Sequence, residues 1–257
     1  MDRLTGKTAV VTGSSRSIGR GIAEQLAADG ALVGIHYSES QQAAAEAVDA
    51  IIDGGGRAFA FGAKLGTEGD TERFWNGFDE QRAKYDGSGD TGLDIIVNNV
   101  AVALRDEFEN ATRADFDEMV AVNVRAPFFI VQQGLGRLRD GGRVINISSA
   151  VTRLALTEVI AYGTTKGALD TFTLILSKVL AARNITVNSV APGYIDTDSN
   201  ASWLRFDEEA WRETAAKSAF GRVGTPQDIA DVVSFLASDD SRWVTGQIID
   251  ASGGTRL

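Results

Sequence analysis

The sequence predicts an α/β fold: a single doubly wound parallel sheet of about seven strands with helices on both faces. Three observations carry this. Short apolar runs alternate with longer segments of helical periodicity along the whole chain. The apolar runs are nearly uninterrupted, as in strands covered on both faces. No linker, repeat or low-complexity stretch divides the 257 residues, so one domain over residues 1–257 is expected.

Residues 8–12 (TAVVT) form the first strand. Residues 18–28 carry Ile18, Ile22, Ala23 and Leu26 on one helical stripe. A second strand over 31–36 and a second helix over 41–52 follow, then a third strand over 57–61 and a helix over about 67–84. Residues 85–92 (YDGSGDTG) read as a turn-rich connection. A fourth strand spans 93–97, one long helix 114–138, and a fifth strand 142–148. The remaining pattern gives a helix over 161–182, a strand over 186–191, a helix over 225–237 and a last strand over 247–250. Pro226 sits in the first turn of its helix, where no backbone N–H is needed. The stretch 193–224 breaks the alternation. It is charged, yet holds Trp203, Phe206 and Trp211, and a substrate lid is expected over about 194–224.

Composition narrows the function. Twenty-five basic against 35 acidic residues give a formal charge of −10 with no basic run, which argues against nucleic acid as a partner. The start, MDRLTGKTAVVTG, has no apolar signal core, and no apolar run approaches the ~20 residues of a bilayer span. No membrane partner and a cytoplasmic location are expected. There is no cysteine, hence no disulfide or thiol nucleophile. With His36 the single histidine, neither a metal site nor a Ser-His-Asp triad is expected.

Two segments suggest chemistry. The first strand runs into Thr12-Gly13-Ser14-Ser15-Arg16-Ser17-Ile18-Gly19. A glycine turn between strand and helix offers backbone N–H groups to phosphate; the same glycines also serve any tight turn, and only their place at the first strand–helix junction favours a dinucleotide. The second strand ends in His36-Tyr37-Ser38 without the acid that holds a ribose 2′-OH. Arg16 and Ser38 instead suit a 2′-phosphate, so NADP(H) is the expected cofactor. Farther on, Tyr162 and Lys166 stand four apart on one helix face. An ammonium beside a phenol is expected to lower the phenol's pKa from ~10 and make it a proton donor and acceptor. Ser148 and Ser149 close the fifth strand, at the edge where open α/β sheets bind ligands.

Taken together, VVTGSSRSIGRGIA, DIIVNN, AVNVRAPFF, GRVINISS, AYGTTKGAL, NITVNSVAPGYIDTD, GRVGTPQDIA and VTGQIIDASGG resemble, in order and nearly end to end, the short-chain dehydrogenase/reductase family. The closest likeness is to its carbonyl reductases, including 3-oxoacyl-carrier-protein reductases. The resemblance implies a Rossmann-type sheet and four catalytic residues. Tyr162 is the general acid, Lys166 holds the nicotinamide ribose, Ser149 orients the carbonyl and Asn123 holds a water. It assigns cofactor contacts to Gly13, Ser15, Arg16, Ser17, Ile18 and Gly19 in the turn, and to Tyr37 and Ser38 after the second strand. Further contacts are Lys64 and Leu65, then Asn99, Val100 and Ala101, then Tyr162 and Lys166, and finally Pro192, Gly193, Ile195 and Thr197.

Three positions depart from the family pattern: Ser17 replaces a glycine, Val100-Ala101 replaces Ala-Gly, and Lys64 replaces an acid at the adenine. The expected function is NADPH-dependent reduction of a small-molecule ketone, polyketide-like or aromatic, or the reverse oxidation of an alcohol. The alternatives are a carrier-protein substrate, docked on Arg137, Arg139, Arg143, Lys178 and Arg183, or a non-catalytic nucleotide-binding regulator. A homotetramer is expected, because the helices over 114–138 and 161–182 carry apolar residues such as Phe128, Phe129, Phe172 and Leu176 on more than one face.

Overall fold

A computed structural model describes residues 3–87, 90–105, 107–198 and 200–256. Its seven strands are β1 (Thr8–Val11), β2 (Leu32–Tyr37), β3 (Arg57–Gly62), β4 (Leu93–Asn98), β5 (Leu138–Ile147), β6 (Thr186–Pro192) and β7 (Ile248–Ala251). All pairings are parallel, in the order β3-β2-β1-β4-β5-β6-β7. The order reverses at β1 and β4, and a crevice opens there beyond the carboxyl ends of the strands.

The uninterrupted apolar runs have a simple cause. Ala9, Val11, Val33 and Ile35 belong to one core layer, packed with Ile22, Leu26, Ala44, Ile229 and Val233. Val10, Leu32, Phe59, Phe61 and Ile96 belong to the other, packed with Phe74, Trp75, Phe78 and Ile130. Successive residues of a strand point to opposite faces, so a sheet covered on both sides needs apolar residues at every position. The first layer involves α1 (Ser17–Ala28), α2 (Gln41–Asp53) and the helix Pro226–Ala237; the second involves α3 (Asp70–Asp86) and the helices after β4.

The expected long helix over 114–138 is instead α4 (Arg113–Val120), a wide π turn (Ala121–Arg125) and α5 (Ala126–Gly134). Pro127 is the reason. It has no N–H, and its ring would strike the carbonyl four residues back. The chain widens, and the Ala126 N–H bonds to the Ala121 carbonyl, five residues back. Leu138 is already in β5, opposite Leu93.

After β5 come α6 (Ile160–Leu180), α7 (Ala201–Leu204), α8 (Glu208–Ala216) and α9 (Pro226–Ala237). The stretch 193–224 is therefore not irregular throughout. Asp207 caps α8 by accepting from the Glu209 and Ala210 N–H groups. Glu208 and Glu209, in its first turn, complement the helix dipole. Leu204, Ala215 and Val223 give this segment a small core of its own, with Trp203 against it. The expected turn over 85–92 starts two residues late, because α3 continues to Asp86 and stops at Gly87, whose φ is +64°; residues 88 and 89 of that expectation lie outside the described residues. No helix among the described residues is long and apolar enough to cross a membrane.

His36 has a structural task. It is fully buried, its Nδ1 accepts from the Gly13 N–H at 3.0 Å, and its Nε2 therefore donates to the Ala63 carbonyl at 2.8 Å. It ties the β1–α1 turn to the segment after β3. Burial pushes its pKa from 6.5 down to about 4, and a second ring proton would face the Gly13 N–H. The unfolded chain takes up this proton more readily than the folded one. His36 thus contributes stability that is complete above pH 6.5 and is lost as pH falls through about 4. Urea unfolding at pH 7.5, 5.5 and 4.5 should show the stability difference between wild type and His36→Gln moving against the wild type as pH drops. A pH-independent difference would show that the imidazole has the same pKa in the folded and unfolded chain.

Candidate active site

The β1–α1 turn is built on close approach. A Cβ on Gly13, whose φ is +63°, would meet Val100 Cγ2 at 2.7 Å; one on Gly19 would lie 2.3 Å from the Gly13 carbonyl oxygen. Thr12 Oγ1 accepts from the Asn99 and Val100 N–H groups, and Asn99 Nδ2 donates to the Thr12 carbonyl. Four other helices start on a side-chain cap: Ser40, Thr112, Asp207 and Thr225. α1 has none, nor any acid in its first turn. Its N-terminus faces the cleft at Ser17, Ile18 and Gly19, which suits an anion.

Ser17, at the family's glycine position, has φ +52°. Its Oγ donates to Asp198 Oδ2 at 3.0 Å and accepts from the Asp198 N–H at 3.2 Å. The turn is thereby tied to the segment before α7.

The cleft, about 950 Å³, is lined by Gly13, Ser15, Arg16, Ser17, Ile18 and Gly19, and beyond the ends of β2 and β3 by Ser38, Lys64 and Leu65. Asn99, Val100, Ala101, Ser149, Tyr162, Lys166, Pro192, Gly193, Ile195 and Thr197 line it too. Tyr37 does not. Alternation along β2 turns it to the other face, where its ring covers Gly62 and would lie 2.9 Å from a Cβ there. Lys64 has an acidic neighbour in Glu39, at 3.6 Å.

At the other end, Ser149 follows β5 while Tyr162 and Lys166 project from α6. The Ser149 hydroxyl is near enough to Tyr162 to favour its ionised form, and its Oγ accepts from the Val151 N–H at 3.3 Å. Ser148, the competing serine, is buried, with no partner for its Oγ among the described residues. Lys166 is 2% exposed. Its Nζ donates to the Ile147 carbonyl at 2.7 Å and lies 5.6 Å from the Tyr162 ring centroid. The expected lowering of the phenol by Lys166 is not seen: burial pushes Tyr162 up to about 12, against the opposing pull of Ser149. Burial likewise pushes Lys166 down to about 8, against the charge of Asp170. The phenol is therefore held protonated at neutral pH, the form a proton donor requires.

Asn123 lies in the π turn, 1% exposed and behind the cleft wall. Its Oδ1 accepts from the Val102 N–H and its Nδ2 donates to the Val102 carbonyl, both at 2.8 Å; Nδ2 also donates to Thr165 Oγ1. It clamps the segment after β4 against the start of α6.

Of the three lid aromatics, Trp203 lines the cleft. Phe206, 85% exposed, and Trp211 do not. Sequence reasoning missed Leu104, Arg105, Leu154, Glu158 and Tyr194 on the substrate side; they stand in irregular segments with no periodicity to mark them. No cluster of three metal-ligating side chains occurs among the described residues.

A seven-stranded parallel sheet, an uncapped helix end at its switch point and a Ser–Tyr–Lys set beside it define a dinucleotide-dependent oxidoreductase. A family model described as enoyl-(acyl carrier protein) reductase matches residues 13–256, and the chain belongs to the short-chain dehydrogenase/reductase family. It is 40% identical over 256 residues to an uncharacterized oxidoreductase of Methylorubrum extorquens, covering 100% of both chains. It is 37% identical to the versicolorin reductase stcU of Emericella nidulans over 262 residues, 98% of this chain and 96% of the relative. Among solved structures, the keto-reductase LugOII of lugdunomycin biosynthesis is 49% identical with a TM-score of 0.94, covering 99% of this chain and 100% of that one. The angucycline C-6 ketoreductase LanV, with NADP bound, is 49% identical with a TM-score of 0.93, covering 99% and 97%.

Ser17→Gly removes a side chain from a left-handed position, a relief on the order of 1 kcal/mol, and cuts the tie to Asp198. Thermal stability should hold or rise while hydrogen exchange over 200–205 accelerates. Asp198→Asn, which keeps one acceptor and the N–H but loses the charge paired with Arg205, should exchange at a rate between wild type and Ser17→Gly. Unaltered exchange in Ser17→Gly would show that the tie does not hold this segment.

Proposed function

We propose that this chain is an NADPH-dependent ketoreductase that transfers hydride to a carbonyl of a polyketide-like aromatic ketone, with Tyr162 as the proton donor. The observation that carries the reading is the Ser149–Tyr162–Lys166 set, with Lys166 buried and the other two half-buried, opening into the same cleft as the uncapped N-terminus of α1. NADP bound in LanV and the keto-reduction of LugOII support it. A dinucleotide fits the residues present: the α1 terminus with Ser15 would hold the diphosphate, and Arg16, Ser38 and Lys64 a 2′-phosphate. Bound there, the reduced nicotinamide supplies the hydride. Ser149 and Tyr162 then orient the carbonyl oxygen, and Tyr162 gives it a proton. The Lys166 ammonium, out of water, stabilises the phenolate left behind.

The carrier-protein alternative loses its docking patch. Arg137 pairs with Asp79, Arg139 with Asp90 and Asp94, Arg143 with Asp239 and Arg183 with Asp140. A free small molecule is the better reading. The intact catalytic set disfavours a non-catalytic regulator.

The working form is read as a cytoplasmic homotetramer. Phe128, Phe129, Leu174, Ile175 and Val179 are exposed on α5 and α6, and Phe235, Trp243 and Ile248 at the β7 edge. Phe172 and Leu176, by contrast, pack partly inward. Two separate apolar faces fit two isologous contacts. Light scattering at micromolar concentration should give four times the chain mass; a monomer would refute this.

A panel of aromatic and aliphatic ketones, assayed with NADPH and NADH, tests the reaction. NADPH should give the higher kcat/KM, and Arg16→Ala should reduce NADPH efficiency more than NADH efficiency. Tyr162→Phe should lower kcat by ~10²–10⁴-fold with NADPH binding retained. A native kcat in Tyr162→Phe would place the acid elsewhere, and an NADH preference in wild type would overturn the cofactor assignment.

A further inference from the structure

Arg105 stands out among the cations of the cleft. Arg16 and Lys64 line it at the β1–α1 turn and after β3, and Lys166 is buried beside Tyr162; Arg105 lines it from the segment after β4, facing Trp203 of α7. Its guanidinium carbon sits 4.9 Å from the Trp203 ring centroid. The contact bridges the segment after β4 and α7. Both supports are fixed from behind: Val102 is held by Asn123, and Trp203 packs on Leu204, Ala215 and Val223. The neighbouring Arg205 is consumed by Asp196 and Asp198. Arg105 has no carboxylate in ion-pair range among the described residues, although Glu118 and Glu158 also line the cleft.

A guanidinium seated on an indole loses little hydration and keeps its N–H groups for an oxygen acceptor. In a chain of formal charge −10, with two carboxylates on the same walls, an anionic substrate would otherwise be repelled. We propose that Arg105 is a specificity-determining residue that selects aromatic ketones bearing an anionic oxygen, such as an ionised enol, phenol or carboxylate, with Trp203 holding the guanidinium in place. This rests on the aromatic-ketone reading above and names the charge that the substrate carries.

The test uses a tetralone carboxylic acid and its methyl ester, each with NADPH at pH 7.5, together with a small aliphatic ketone. In wild type the acid should exceed the ester in kcat/KM by about tenfold or more, chiefly through KM, as one charge-assisted pair provides. The advantage should shrink with added salt. In Arg105→Leu the acid-to-ester ratio should fall to one or below, because Glu118 and Glu158 remain; in Arg105→Lys it should be intermediate. The ratio is internal to each variant, so partial loss of folded protein does not move it. Trp203→Leu, which removes the seat, should lower the ratio, and Trp203→Phe should restore part of it. A wild type that reduces acid and ester equally, or an Arg105→Leu that keeps the wild-type ratio, overturns the assignment and leaves the ketoreductase reading standing. Reduction of the aliphatic ketone alone overturns the aromatic reading, and this one with it.

Discussion

The site depends on an ammonium buried where water cannot reach it. Lys166 donates an N–H hydrogen bond to the Ile147 carbonyl, two residues before Ser149, and so fixes α6 against the end of β5. Leaving such a charge unpaired would cost several kcal/mol, so the carbonyl contact and the charge of Asp170 are structural requirements. From that one bond the rest is positioned. Tyr162 stands one turn before Lys166 on the same face and meets Ser149 across the gap. The site is held by a strand end and a helix, both rigid, with no part of it on a free loop.

The π turn extends this geometry to the substrate wall. In a regular helix the segment over 121–125 would aim its side chains differently; with the wide turn forced by Pro127, Asn123 is free to match the peptide unit of Val102 with both ends of its amide. A proline thus sets the frame for an asparagine, which sets the frame for Val102 and the residues up to Arg105. The same amide touches Thr165, next to Lys166. One buried chain of hydrogen bonds thus runs from Val102 through Asn123 and Thr165 to the Tyr162 carbonyl.

The elements legible in the sequence were those governed by short-range rules. Strands appeared because a two-faced sheet leaves no polar position, and the helices α1, α2 and α9 because their stripes face one layer only. The turn and the Tyr162–Lys166 pair were legible from spacing, and their partners from resemblance. What escaped was decided by direction and environment. Tyr37 followed Ser38's neighbours in sequence but faces the opposite layer. The pKa of Tyr162 was expected to fall from the nearness of a cation, yet burial pushes it up, and Lys166 directs an N–H to the Ile147 carbonyl. Arg105 has no periodic context at all, and Trp203 lies in the short helix α7 and lines the cleft whereas Phe206, two residues past its end, is exposed.

The segment over 194–224 is tied to both walls of the cleft by contacts of different physics. Near its start, Asp198 exchanges two hydrogen bonds with Ser17, at the end of the cleft that suits phosphate. A turn later, Trp203 receives Arg105 from the substrate wall. Arg205 joins the two by gripping Asp198 and Asp196. The first tie is local and polar and sits where a dinucleotide's charge would arrive; the second is between a cation and a ring and sits where a ketone would. Only three residues lie between Asp198 and Ser202, the Ala201 N–H bonds to the Asp198 carbonyl and the Leu204 N–H to the Asn200 carbonyl, so the Ser17 contact leads directly into the helix that carries Trp203. The serine that replaces a glycine in the turn therefore links this chain's cofactor end to its substrate end, a coupling that a glycine, having no side chain, has no means to make.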